Sequence, residues 1–355
     1  MESLNRDIIL THVQEMFRDN LVAFLGSGAS APYGLPTMNE LSNDLLARLS
    51  DSGDPLAQYD ESDEFSRLLR TSRKLEADLS SVKEADFLDA LREAIASCVE
   101  KKESSALPDL LTNEMHLEML ITRALRVSSH FTVVTTNYDR LVEFSAQKAG
   151  FPVDTSFLGA YLGKHDPESC RSMYTVRRQR GRKPPVYHER KHVRIFKPHG
   201  SLGWFDVHGE VRESTFALPL PRKVIAPTEG KFQEGYEEIY SFHRTKANEE
   251  IKKASALLVV GYGFWDGHLH QQLVTAIQSG TPTVILTRSI SDHVLDIVRD
   301  SASCLLLGKG EGTTTRCVFS DQEEIPMSGN LWDLQQLFFS AFPIDAVKAQ
   351  KEGIV

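Results

Sequence analysis

The stretch Leu21-Val22-Ala23-Phe24-Leu25-Gly26-Ser27-Gly28-Ala29-Ser30-Ala31 passes from five apolar residues straight into a glycine-rich turn. A short uninterrupted apolar run reads as a strand buried on both faces. A Gly-x-Gly turn directly behind such a strand is where a Rossmann sheet brings backbone N–H groups against a pyrophosphate, because a Cβ there would block the approach. A structural tight turn is the plain alternative. An ordinary dehydrogenase would continue through a helix to a second strand ending in an acidic residue about 20 positions on. Here the chain instead turns at Pro32-Tyr33-Gly34-Leu35-Pro36. Thr37 and Glu40 then have capping-box spacing, and Leu41, Leu45, Leu46 and Leu49 mark one face of a helix. The loop is thus extended and is expected to cover a cofactor as well as cradle it.

Upstream, Ile8, Ile9, Val13, Met16 and Phe17 recur at helical spacing within Leu4 to Asp19. Downstream, residues 51–129 read as a mainly helical insertion, with Phe87, Leu88, Leu91 and Ile95 as its clearest apolar face. Short apolar strands resume at Phe131 to Thr135, Val193 to Phe196, Val224 to Ala226, Leu257 to Val260 and Thr283 to Leu286. Helical segments at Asp139–Ala149, Tyr236–Ala254 and His268–Ser279 separate them. That alternation predicts an α/β fold with a doubly wound, Rossmann-like parallel sheet, whose ligands belong at the strand carboxyl ends. One domain over 1–355 is expected, with a basic surface insertion at 161–194 and a C-terminal helix and tail at 331–355. Within 161–194, Arg177, Arg178, Arg180, Arg182, Lys183, Arg190 and Lys191 cluster around Pro184-Pro185.

A chain of 355 residues with 41% hydrophobic residues can bury a sizeable core. Its apolar runs fall far short of a membrane span and Met1 to Leu10 lacks a signal pattern, so a cytoplasmic protein is expected. Cys98, Cys170, Cys304 and Cys317 form no CxxC pair, which suggests free thiols and neither a disulfide framework nor a metal site. A net charge of −9 argues against wholesale nucleic-acid wrapping but leaves a local basic patch open.

Four further motifs follow predicted strands. In Thr135-Thr136-Asn137-Tyr138-Asp139 an amide could orient a ribose or a water, while a helix N-cap explains Asn and Asp equally well. In Lys197-Pro198-His199-Gly200-Ser201 the histidine suits general-base work near neutral pH, although lone histidines are often structural. Gly261-Tyr262-Gly263-Phe264-Trp265-Asp266 could let backbone approach a ribose or adenine, with Phe264 and Trp265 as core. Arg288, in Thr287-Arg288-Ser289, could reach the adenine end or mark a simple strand-to-helix turn.

In order, Gly26-Ser27-Gly28-Ala29-Ser30 with Gly34-Leu35-Pro36, then Thr136-Asn137-Tyr138-Asp139, His199-Gly200 and Gly261-Tyr262-Gly263 resemble the sirtuin family across most of the chain. The resemblance implies that Gly26, Ser27, Gly28, Ala29, Ser30 and Pro36 line NAD, that Asn137 and Asp139 lie near its nicotinamide, that Gly261, Tyr262, Gly263 and Arg288 complete the site, and that His199 is the catalytic base. NAD is then a substrate whose glycosidic bond breaks, with no hydride transfer. Two departures stand out. The scattered cysteines cannot supply the four-cysteine zinc module of sirtuin deacetylases, and the family's Asp-Phe-Arg after the Gly-Ile-Pro turn is replaced by Thr37-Met38-Asn39.

In both respects the chain resembles zinc-less, sirtuin-like NAD hydrolases of prokaryotic anti-phage systems, which implies NAD+ glycohydrolase activity, homo-oligomers and a partner such as a HerA-like hexameric ATPase. The catalytic pair is then Asn137 and His199. NAD-dependent protein deacylation and a non-catalytic nucleotide-sensing role are the competing readings. With the core and its insertions filling the chain to about residue 320, the trigger is expected to lie elsewhere.

Overall fold

Side chains alternate across a strand, so the run Leu21–Leu25 must feed two cores at once. In the computed structural model it does so: Leu21, Ala23 and Leu25 pack into one apolar layer, Val22 and Phe24 into the other. The structure describes residues 2–72, 75–159, 161–178, 185–224, 238–264, 267–301, 303–319 and 324–343, without the side chains of 2–5, 76–77 and 267–268. Leu21–Leu25 lies between His130–Thr135 and Ala256–Val260, parallel to both. On one side the sheet continues in parallel through His192–Phe196 to Val153–Asp154. On the other it runs through Thr283–Thr287 to Cys304–Lys309, then ends in the antiparallel strands Thr314–Phe319 and Ile325–Ser328. The result is a nine-stranded, mostly parallel sheet with helices on both faces, the expected doubly wound α/β architecture.

One face carries the helix Glu2–Met16, the helices drawn from residues 51–129, and Leu334–Ala341. Phe87, Leu91 and Ile95 are buried there, as their spacing predicts, whereas Ile8 is exposed. The other face carries Glu238–Lys253, Gly267–Gln278 and Asp292–Arg299. The capping box forms as its spacing requires, Thr37 and Glu40 exchanging side-chain-to-backbone bonds at the start of Met38–Leu49.

A second, five-stranded sheet built around Gly200–Val207 has no counterpart in the sequence reading. It corrects one assignment: Val224 ends the strand Arg222–Val224, which pairs antiparallel with Gly200–Val207 and is no part of the parallel sheet. A short apolar run carries no information about its partner. Ile225 and Ala226 lie outside the described residues, as do Arg180, Arg182, Lys183, Pro184, Trp265 and Asp266. Residues 161–194 contain a helix, Pro167–Met173, an antiparallel pair, Thr175–Arg178 with Val186–Glu189, and the start of the main-sheet strand His192–Phe196. The C-terminal helix seats Phe338 against Phe17, and residues 344–355 lie outside the description. Among the described residues no helix is long and apolar enough to cross a membrane.

Candidate active site at the carboxyl edge of the sheet

The chain leaves Leu21–Leu25 for His130–Thr135 on one side and later returns to Ala256–Val260 on the other, so the central strand is the topological switch point where an open α/β sheet leaves a crevice. The loops at that crevice are fastened together. Gly26 N–H donates to Val260 O at 3.0 Å, Gly28 N–H to Gly261 O at 3.0 Å, and Gly261 N–H to Leu286 O at 2.8 Å. A Cβ on Gly26 would stand 2.5 Å from Gly261 O, and one on Gly28 would stand 2.7 Å from Gly261 Cα. Gly261 is itself left-handed, at φ +60. The glycines are therefore required by the approach of loop to loop, a reason that sequence reading had assigned to the ligand.

Ser27–Ser30 forms a single helical turn with no side-chain cap, and among the described residues the Ser27 N–H and hydroxyl have no hydrogen-bond partner. Ser27 is half-buried and Gly28 exposed. Ser30 is buried and central to a network. Its hydroxyl donates to Asp139 Oδ2 at 2.7 Å and accepts from Asn137 Nδ2 at 2.9 Å, while the same Nδ2 donates to Gly26 O at 2.9 Å. Both amide hydrogens of Asn137 thus point into the protein, and its Oδ1 accepts from no described residue. Asn137 N–H also donates to Thr135 Oγ1, so the residue is fixed at backbone and side chain alike.

Asp139 is buried, with Oδ1 accepting Leu141 N–H at 3.2 Å. Burial raises its carboxyl to about 6, against the opposing pull of the Lys197 charge and the Ser30 hydroxyl. In this structure the group braces Ser30 and the following helix. Lys197, only 2% exposed, donates to the Asp139 carbonyl, pairs with Glu143 Oε1 at 2.8 Å and reaches Ser201 Oγ at 3.5 Å. Leu202 N–H donates to Tyr138 O at 2.9 Å. The turn carrying buried His199 is in this way docked on the loop carrying Asn137.

Residues 132–299 match the SIR2-like domain. The SIR2-like match runs from inside His130–Thr135 to the end of Asp292–Arg299 and takes in Asn137, Asp139, His199, Gly261 to Gly263 and Arg288. The Gly26–Ser30 loop precedes it and is bound to it by the contacts just described. No curated protein matches the sequence. Among solved structures, one from work on the mechanism and regulation of Sir2 enzymes is 13% identical, covers 95% of this chain and 99% of its own, and superposes with a TM-score of 0.46. Sir2Tm bound to a propionylated peptide is 14% identical over 80% and 86% of the two chains, with a TM-score of 0.41. A Sir2 homologue mutant in complex with 2'-O-acetyl ADP ribose is 14% identical over 80% and 84%, with a TM-score of 0.42.

The other expected site residues fall as follows. Tyr262 is buried against Phe24, Gly263 is exposed and Pro36 is buried. Arg288 is exposed and close enough to Glu40 to help the Thr37 backbone and hydroxyl hold that carboxyl below its ordinary range. Sequence reasoning missed Lys197, although it stood inside a quoted motif at the end of an apolar strand, where a buried charge demands partners. It also missed Arg140, whose Nε donates to buried Glu103 Oε2 at 3.0 Å and ties the long helix Ala85–Thr112 to the Asn137 loop. Nothing in the local sequence of either residue signals that pairing.

Glu213 is a third unforeseen group, accepting from Thr155 Oγ1 at 2.7 Å and Trp204 Nε1 at 3.3 Å. Burial pushes its carboxyl up to about 7, helped by the nearby Glu143 charge and opposed by the Thr155 hydrogen bond. The folded protein holds this proton at pH values where an unfolded glutamate has released it. Its stabilising contribution is therefore full below the ordinary glutamate range and is lost as pH rises through about 7. Glu213→Gln is expected to be more stable than wild type at pH 8 by up to about 3 kcal/mol, and close to it at pH 5. Denaturant unfolding at the two pH values checks this; equal offsets at both would count against it.

Proposed function

We propose that this protein is an NAD+ glycohydrolase that releases nicotinamide and ADP-ribose. The observation that carries the reading is the fixing of Asn137 at the switch-point crevice, both amide hydrogens tied to Gly26 O and Ser30 Oγ and its oxygen left for a ligand. The SIR2-like match supports it. The residues at the crevice suit such a substrate: the Ser27 N–H and hydroxyl, unpaired among the described residues, can meet a phosphate, and Asn137 Oδ1 can accept from a ribose hydroxyl or a water.

The nicotinamide of NAD+ is cationic, so its glycosidic bond breaks with the electron pair passing to the ring nitrogen. The protein has then to hold the ribose, favour the developing cation and admit water. Asn137 holds the water or ribose hydroxyl. Water oxygen bonds to the anomeric carbon, and His199 takes the released proton, which requires a neutral imidazole. Hydrolysis is favoured over peptide deacylation because Cys98, Cys170, Cys304 and Cys317 lie in four separate elements, three of them buried. They cannot gather into the zinc module of the deacetylases. The proposed setting is NAD depletion during anti-phage defence, by a homo-oligomer acting with a HerA-like ATPase.

Incubating purified protein with NAD+ and separating the products tests the reading, alone and with an acetylated peptide. Nicotinamide and ADP-ribose in equal amounts without peptide are expected. Release that depends on the peptide and yields O-acetyl-ADP-ribose would transfer the protein to the deacylases.

A further inference from the structure

The basic segment that the proposed chemistry leaves unused has a definite form. Thr175–Arg178 and Val186–Glu189 pair antiparallel as an isolated two-stranded ribbon, register Thr175 with Glu189 through Arg178 with Val186. Its root is anchored. Tyr174 stacks on His192 with ring centroids 4.2 Å apart and donates from its hydroxyl to Val153 O at 2.7 Å, and Glu189 accepts from Ser129 Oγ at 3.0 Å and pairs with His130 and Arg194. Ser129, His130 and His192 stand at the amino ends of their strands, whereas Asn137, Gly26 and Gly261 follow carboxyl ends. The ribbon is therefore at the opposite end of the sheet from the candidate active site and cannot serve the phosphates of a nucleotide bound there.

Arg171, Arg178, Arg190 and Lys191 are exposed on and beside this ribbon, and among the described residues none has an acidic partner. Other cations do have such partners, as in Arg140 with Glu103 and Arg222 with Glu93 and Glu100. Arg171 lies on the helix Pro167–Met173, Arg178 on the ribbon, and Arg190 and Lys191 just after it, so cations without described partners gather about the ribbon root of a chain of net charge −9 and create a local positive potential bounded by repulsive surface. Three of the four are arginines, whose planar fork matches phosphate oxygens. A two-stranded ribbon also has the width that a DNA major groove admits. Tyr187, 63% exposed and opposite Arg177, offers a ring beside them. Exposed Met173 and Val186 also stand at the ribbon, but the cations outnumber them, and a polyanion of regular charge is met by several separate cations without an apolar centre.

We infer that the ribbon and its flanking cations form a binding surface for the phosphate backbone of duplex DNA. The test is fluorescence anisotropy of a labelled mixed-sequence DNA duplex with the full chain, wild type against the combined Arg171→Ser, Arg178→Ser, Arg190→Ser and Lys191→Ser variant. Wild type should bind and weaken steeply between about 50 and 200 mM salt. The variant should lose at least about tenfold in affinity at the lower salt, with a log–log salt slope shallower by roughly three units. Its melting temperature should not move, because the four side chains are exposed. Absence of wild-type binding, or a variant with the same affinity and slope, overturns the inference. Stronger binding of poly-glutamate than of the duplex also overturns it, in favour of an acidic protein partner.

Discussion

Asn137→Ala and His199→Ala are each expected to cut nicotinamide release by at least about 10²-fold, the low end of what a positioned acid–base or orienting group contributes. The two losses should differ in kind. Removing Asn137 deletes the acceptor at the crevice together with the bonds to Gly26 O and Ser30 Oγ, so a modest stability cost of about 1–2 kcal/mol accompanies it. Ser30→Ala separates the two contributions: it removes the bridge between Asn137 and Asp139 and leaves the Asn137 oxygen in place, so it should cost less activity than Asn137→Ala. Removing His199 should slow water attack while leaving the bonds that fix Asn137 in place. Product analysis with thermal melts as control checks all three, and near-wild-type turnover in either alanine variant would show that the pair was wrongly chosen.

Lys197→Met is expected to be the most destabilising single change at the site, by about 3–5 kcal/mol, because it strips the counter-charge from an ion pair whose lysine is buried and whose carboxylate is only 16% exposed. Glu143 would lose its partner at 2.8 Å, while its Oε2 is already buried without a hydrogen bond. Asp139, whose carboxyl burial already raises to about 6 and Lys197 lowers, would lose that support as well. The pH dependence follows from the sign of that shift. Below about 6 Asp139 is protonated and needs no counter-charge, so the deficit of the variant should be smaller at pH 5 than at pH 8. Adding Glu143→Gln should restore part of the loss. A melting temperature within 1–2 °C of wild type, flat in pH, would rule out this role, since about 3 kcal/mol corresponds to a drop of roughly 4 °C in a chain of 355 residues.

Much of this fold was legible in one dimension because its signals are local. Leu21–Leu25 and Ala256–Val260 are uninterrupted apolar runs ending in glycine, and a parallel strand covered on both faces leaves that trace. Thr37 and Glu40 announced the helix that they cap. The second sheet escaped notice because Gly200–Val207 begins inside a glycine-containing motif, where composition points to a turn. Val224, with only a few apolar neighbours, carried no sign of whether its partner ran parallel or antiparallel.

The sequence by itself determined the switch-point architecture and the motifs that border its crevice, because apolar periodicity and strand-end glycines follow from the chain's own covalent order. Only the tertiary structure decided what those residues do. Gly26, Gly28 and Gly261 prove necessary to one another's backbones, Asp139 is turned inward to brace Ser30, and Lys197 holds the His199 turn on the Asn137 loop. The physical reason is range. Propensity and capping act within a few residues, whereas Ser30 and Asp139 lie 109 residues apart, and the need to satisfy a buried charge can be met by a group anywhere in the chain.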